Sequence, residues 1–168
     1  MTALLLARHG VTDWNLEHRV QGHTDQPLNA EGVTQAHALA EALRHEPLVA
    51  IYSSDLSRAR DTAAVVAAAH GLEVELDVDL REKNFGSWEG LTDAEIRVRH
   101  PDAVRGAWGD GESADDLSRR AVSALDRILS ARPHGAVLVI SHGGTLRAIL
   151  SHLGVPHSTI GNCEVFRA

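Results

Sequence analysis

Two five-residue runs without a polar side chain constrain this chain more than any other feature: Ala3-Leu4-Leu5-Leu6-Ala7 and Ala136-Val137-Leu138-Val139-Ile140. A strand with one wet face alternates apolar and polar positions, so a short uninterrupted run reads as a strand buried on both faces. Strands of that kind belong to mostly parallel sheets with helices covering either side. The residues after each run matter as much. Arg8-His9-Gly10 comes directly after the first, and Ser141-His142-Gly143 after the second. Each strand therefore delivers a histidine to its carboxyl end, where open α/β sheets bind ligands. Two histidines and an arginine in one crevice suggest chemistry on an anion.

The rest of the chain alternates helical and strand patterns. Thr2 to Arg8 reads as a strand, and His9 to Leu28 as a long polar loop. Asn29 is placed to cap a helix whose apolar positions Val33, Ala36, Leu39 and Leu43 follow a 3.6-residue rhythm. Val49 to Ser53 reads as a strand, about Leu56 to His70 as a helix stopped by Gly71, and Glu73 to Leu76 as a short strand. Thr92-Asp93-Ala94-Glu95 has capping-box spacing for a short helix. A long helix follows Ser113, with Leu117, Ala121, Leu125, Ile128 and Leu129 on one face. A helix over about Thr145 to Leu153 follows the second apolar run, and a strand near Cys163 to Arg167 closes the pattern. The expected fold is a three-layer α/β/α sandwich with a mostly parallel sheet, in one domain over 1–168. The stretch 83–111, with Phe85, Trp88 and Trp108 among glycines and charges, reads as a short lid with a packed centre of its own.

Composition excludes several classes. With 168 residues, 43% hydrophobic and 23% charged, the chain suits an ordinary globular domain. A formal net charge of -7 argues against a nucleic-acid surface. Cys163 is the only cysteine, so no internal disulfide forms and nothing points to an oxidising compartment. Leu4 to Ala7 is too short for a signal-peptide core and no segment approaches a membrane span. The expectation is a cytoplasmic protein without nucleic-acid or membrane partners; its oligomeric state is not legible.

Arg8, His9, Arg58, Glu82 and His142 all fall just after strand segments. Each has a bland alternative. Arg58 fits a solvated helix face, and Glu82 fits an ion pair with Arg81 or Lys83. Their common position at strand ends is what favours a shared pocket. Metal binding has no support from spacing: there is no His-Glu-x-x-His, no His-x-His and no second cysteine. Phosphate-loop and dinucleotide glycine motifs are also absent.

The residues resemble the histidine phosphatase superfamily, the phosphoglycerate-mutase-like phosphatases, along nearly the whole chain. The resemblance is carried by Arg8-His9-Gly10-Val11-Thr12-Asp13-Trp14-Asn15, by Gln21-Gly22-His23-Thr24-Asp25, and by Ser53-Ser54-Asp55-Leu56-Ser57-Arg58. Leu80-Arg81-Glu82, Phe85-Gly86-Ser87-Trp88-Glu89-Gly90, Gly111-Glu112-Ser113 and Ser141-His142-Gly143 complete it. It implies that His9 is a nucleophile that becomes a phosphohistidine and that Glu82 is the proton donor. It also implies that Arg8, Arg58 and His142 surround the phosphate, with Asn15, Gln21, Gly22 and Gly143 as further phosphate contacts. No cofactor and no metal are implied. Val11 departs from the family, which usually carries an acidic residue there.

Physical chemistry fits those roles. Phosphoryl transfer spreads charge over the equatorial oxygens, and two guanidinium forks match them as Mg²⁺ does elsewhere. Arginines beside His9 favour its neutral, nucleophilic form. The resemblance thus implies a metal-independent phosphatase for small phosphate monoesters. The alternatives are a cofactor-dependent mutase, whose relatives carry a longer basic insertion after the acid, and a catalytically dead binding module. Only about thirty residues separate Glu82 from Ser113, and none of the five central residues is replaced.

Overall fold

A computed structural model describes residues 2–103 and 108–168. Its strands are numbered in chain order: β1 (Thr2–Arg8), β2 (Leu48–Ser53), β3 (Val74–Leu76), β4 (Gly135–Ser141) and β5 (Val165–Arg167). Both apolar runs are central strands. β1 and β4 pair in parallel, with Leu5 opposite Leu138 and Arg8 opposite Ser141. β2 joins the other side of β4 in parallel and β3 pairs beyond it, while β5 runs antiparallel along β1. The sheet order is β3-β2-β4-β1-β5.

Because successive strand residues point to opposite faces, each apolar run feeds two cores. Leu4, Leu6, Val137 and Val139 pack against α5 (Ala114–Ala131) and α6 (Gly143–His152). Leu5, Ala7, Leu138 and Ile140 pack on the other face against α2 (Ala30–Leu43) and α3 (Ser57–His70). That is the three-layer architecture expected from the runs. Two short helices, α1 (Asp13–Leu16) and α4 (Asp93–Arg99), lie outside these layers.

The capping signals hold in detail. Asn29 accepts from the Gly32 amide, Ser113 from the Asp116 amide, and Thr92 forms the capping box with Glu95. Gly71 ends α3 in the left-handed conformation. Three local readings need correction. The stretch 9–28 is not all loop, because a second capping box, Thr12 with Asn15, nucleates α1. The strand before Glu82 ends at Leu76, and a 3₁₀ turn over Val78–Leu80, capped by Asp77, carries the chain on to the acid. α6 starts at Gly143 instead of Thr145, so His142 is itself the N-cap residue. Val33 keeps helical spacing but is 44% exposed, and Cys163 precedes β5 in a left-handed conformation.

The stretch expected to form a lid carries a packed cluster. Trp88, Leu91 and Ile96 are buried together with Val20 and Phe85 against them. Trp108 packs edge-on to Trp88, ring centroids 4.9 Å apart. Residues 104–107 of the expected lid lie outside the described residues.

Candidate active site

The carboxyl ends of β1, β2 and β4 converge on one buried pocket. His9, directly after β1, is 2% exposed, and its amide donates to the Ser141 carbonyl at the end of β4 (3.0 Å). Its Nδ1 lies 2.6 Å from the Gly10 carbonyl oxygen. A carbonyl only accepts, so Nδ1 carries the proton and Nε2 presents its lone pair to the pocket. Burial, then Arg58 and Arg8, hold the His9 imidazole well below its ordinary value of 6.5. The neutral nucleophilic form is therefore the resting form.

His142 faces His9 with ring centroids 5.1 Å apart. Its Nε2 is 2.9 Å from the Ser54 hydroxyl, and it too is held well below 6.5 by burial, Arg58, His9 and Arg8. Arg58, on the first turn of α3, is 1% exposed. It donates to the carbonyls of Gly22 (2.8 Å) and Thr24 (3.0 Å). Burial brings its guanidinium down to about 10, so it stays charged at neutral pH. Arg8 donates to the Ile160 carbonyl at 2.7 Å.

Three buried side-chain nitrogens are left without a partner around His9: Arg8 Nε, Arg58 Nε and His142 Nδ1. Buried polar groups are nearly always satisfied, and an unsatisfied one is costly. Three of them in one pocket, two on guanidinium groups, describe a receptor for an anion.

The loop Gly22–Thr24 closes one wall. Its carbonyls serve Arg58, and its amides serve Glu89, which accepts from His23 N and Thr24 N at 2.9 Å each. Gly22 has φ +57°, and a side chain there would overlap the Glu89 carboxylate. Asp25 caps α3 from the same loop by accepting from the Ser57 amide at 2.7 Å. Asn15 and Gln21 both turn their carbonyl oxygens to Thr12, at 3.0 Å to its amide and 2.8 Å to its hydroxyl respectively. That leaves their amide nitrogens as the ends able to meet an anion. Gly143 opens α6 beside Arg8; a Cβ built on it would stand 3.7 Å from Arg8 Nε.

Glu82 stands at the mouth. Its carboxylate accepts from Gly144 N (2.9 Å) and Lys83 N (2.8 Å). The ion pair read as its bland alternative does not form with Arg81, which clamps Asp55 through two hydrogen bonds of 2.7 and 2.5 Å. The backbone leading to Glu82 is fixed from behind. Arg120 donates to the carbonyls of Asp79, Arg81 and Glu82 at 2.7–2.8 Å, and Ser141 and Thr145 to those of Leu80 and Arg81 at 2.7 Å. Glu112 holds Arg120 bidentately at 2.6 and 2.9 Å.

All nine site residues read from sequence thus lie at or around this one pocket. Arg120, Glu112, Glu89 and Ser54 were not assigned roles by sequence reasoning. Arg120 carries no signal in the sequence beyond its place on a helix, and its three carbonyl partners are close to it in space alone. Glu89 and Glu112 stand inside the motif blocks, which was the available signal. Among the described residues no group of three His, Cys, Asp or Glu side chains is placed to hold a metal ion. No helix there is long and apolar enough to cross a membrane.

The chain belongs to the histidine phosphatase superfamily (branch 1), whose family model matches residues 4–167. More particularly, it is 40% identical to a metal-independent phosphoserine phosphatase of Arabidopsis thaliana, covering 89% of this chain and 67% of that protein. It is also 40% identical to the probable phosphoglycerate mutase GpmB of Yersinia pestis, over 99% and 84%. Among solved structures, a mycobacterial glucosyl-3-phosphoglycerate phosphatase bound to VO3 superposes with a TM-score of 0.89 at 33% identity, covering 98% and 90%. A phosphoserine phosphatase mutant of Entamoeba histolytica, in complex with phosphoserine, gives 0.84 at 29%, covering 99% and 90%.

Proposed function

We propose that this protein is a metal-independent phosphatase that hydrolyses small phosphate monoesters through a phosphohistidine on His9. The observation that carries the reading is the set of three unpartnered buried nitrogens, two of them on guanidinium groups, around a neutral histidine whose Nε2 is left free by the bond from Nδ1 to the Gly10 carbonyl. Arg8 and Arg58 meet the dianion and its developing charge, with His142, Gly143, Asn15, Gln21 and the Gly22 loop completing the cradle. His9 Nε2 attacks phosphorus as the ester P–O bond breaks, and Glu82 gives its proton to the departing oxygen. A water then attacks the phosphohistidine, Glu82 takes back a proton, the P–N bond breaks and inorganic phosphate leaves.

No step requires a divalent cation, because the guanidinium groups supply the charge complement, and no cofactor is needed. The whole of 1–168 acts as one domain in this reading. A cytoplasmic setting suits a chain with one cysteine. The mutase alternative needs a phosphoenzyme protected from water and a grip on a second substrate; the short stretch between Glu82 and α5 favours hydrolysis instead. A binding module without catalysis would have no use for Glu82 at the mouth.

The test is His9→Ala beside the unaltered protein, assayed on p-nitrophenyl phosphate with chelator present. The reading expects turnover in the unaltered protein, loss of it in a variant of normal circular dichroism, and an acid-labile phosphoryl group trapped by rapid quench. Substantial turnover by folded His9→Ala, or a loss with chelator restored by a divalent cation, overturns it.

A further inference from the structure

Ser54 is a fully buried polar residue of the site to which the reaction above gives no part. It follows β2 and precedes α3, the helix that carries Arg58. Its amide donates to the Ile140 carbonyl of β4 (3.1 Å), and its carbonyl accepts from the Ser53 hydroxyl (2.9 Å). The backbone is thus pinned to two strand ends at once. The Ser54 hydroxyl lies 2.9 Å from Nε2 of His142, which is itself 0% exposed.

The direction of that bond follows from the hydrogen-bond inventory. A hydroxyl has one proton to give and two lone pairs to receive with. The Ser54 oxygen already receives the Leu56 amide at 3.3 Å. Among the described residues the one acceptor within its reach is His142 Nε2. The imidazole is neutral, since burial, Arg58, His9 and Arg8 hold it well below 6.5, so it carries a single proton. With Nε2 accepting from Ser54, that proton sits on Nδ1. The opposite tautomer has two faults. It strands a fully buried Ser54 O–H without an acceptor, and it leaves a lone pair on Nδ1 in a pocket built for an anion. The two histidines then share a tautomer and differ in what it leaves free. In His9 the Nδ1 proton goes to the Gly10 carbonyl and Nε2 is left to attack. In His142 the Ser54 proton occupies Nε2, and Nδ1, buried without a partner, is left to donate.

We propose that Ser54 is the positioning residue of His142: its hydroxyl donates to Nε2, fixes the imidazole as the Nδ1–H tautomer and so readies an N–H donor for the transferred phosphoryl oxygens. The inference rests on the phosphatase reading and adds to it a side chain that never touches the phosphate. A donor fixed in advance needs no reorganisation as charge develops on those oxygens. A serine placed there for packing alone would leave the ring free to exchange its proton between the two nitrogens.

The experiment reads the tautomer directly. Long-range ¹H–¹⁵N correlations from the ring carbon protons, recorded at pH 7.5 on protein labelled with ¹⁵N-histidine, show which nitrogen of each imidazole carries the proton. The His142 signals are those missing from His142→Gln. The unaltered, phosphate-free protein should show a protonated Nδ1 and a lone pair on Nε2. In Ser54→Ala the signals should move toward a mixture of tautomers. Phosphate affinity and kcat/KM for p-nitrophenyl phosphate should both drop about two- to ten-fold, the size of one neutral hydrogen bond. Ser54→Thr, which keeps the hydroxyl, should retain the Nδ1–H signature and most of the activity. A protonated Nε2 in the unaltered protein overturns the proposal without need of any variant. So does a signature that Ser54→Ala leaves unmoved, even if that variant is less stable to urea. His9-dependent turnover of p-nitrophenyl phosphate keeps the phosphatase reading intact in both cases. The expected signature in a protein that never turns that ester over removes the phosphatase reading, and with it the role given to Ser54.

Discussion

Glu82 separates a proton-donor role from a merely structural one at the scale of a single residue. Its carboxylate is held by two backbone amides, not by a cation, so replacing it by glutamine keeps the size and removes the transferable proton. General acid help is worth about a hundred- to ten-thousand-fold and matters most for poor leaving groups. Glu82→Gln should therefore slow hydrolysis of an alkyl phosphate by that order and of p-nitrophenyl phosphate far less. Equal losses on both esters, measured as kcat, would return Glu82 to a structural role. The residue scale is also where sequence reading succeeds and fails most sharply. His9, Arg58 and His142 are legible because each directly follows a strand or opens the helix after it, so local pattern and site coincide. Arg120 is not legible, since it is defined by carbonyls about forty residues away.

Among the elements, the segment from Asp79 to Glu82 depends on a neighbour that never touches the phosphate pocket. α5 contributes Arg120, whose guanidinium receives three carbonyls of that segment and one carboxylate, Glu112. Removing it leaves those groups unpaired near the protein interior, at a cost of about 1–3 kcal/mol. Arg120→Met should lower stability to urea by that amount and, by loosening Glu82, reduce kcat on alkyl esters more than on p-nitrophenyl phosphate. An unchanged alkyl-to-aryl ratio in a destabilised protein would limit the clamp to folding. Boundaries are less legible than elements at this scale. α6 begins at Gly143 because His142 caps it by backbone geometry alone, without the side-chain hydrogen bond that marks Asn29 or Ser113 in the sequence. The 3₁₀ turn before Glu82 leaves no periodic signal in three residues. The two apolar runs, by contrast, disclose the sheet and both cores at once, since every second residue feeds an opposite helical layer.

For the molecule as a whole, two buried neutral histidines tie stability to pH. His9 and His142 are both depressed below 6.5 in the folded protein, so the unfolded chain binds more protons once pH drops beneath that value. Their contribution is therefore intact above about 6.5 and is lost as pH falls toward their folded values. With both engaged the slope from these groups approaches about 2.7 kcal/mol per pH unit. Urea midpoints measured between pH 7.5 and 5.0 should fall, and His142→Gln should flatten the fall. A flat profile in the unaltered protein would mean that these imidazoles are charged in the fold.

The unpartnered nitrogens around His9 carry one more consequence. A pocket that leaves one nitrogen each of Arg8, Arg58 and His142 unsatisfied costs the fold stability, and whatever satisfies them is a folding ligand. Inorganic phosphate, the expected product, is such a ligand: it binds the folded chain and not the unfolded one. At a hundred times its dissociation constant it should add about 2.7 kcal/mol, or roughly 5–10 °C in melting temperature for a chain this size. Chloride at matched ionic strength should not reproduce this, and Arg58→Met should abolish it. The enzyme would then be most durable where its own product accumulates and its turnover is slowest, with resistance to unfolding and speed of catalysis set against each other by the same three atoms.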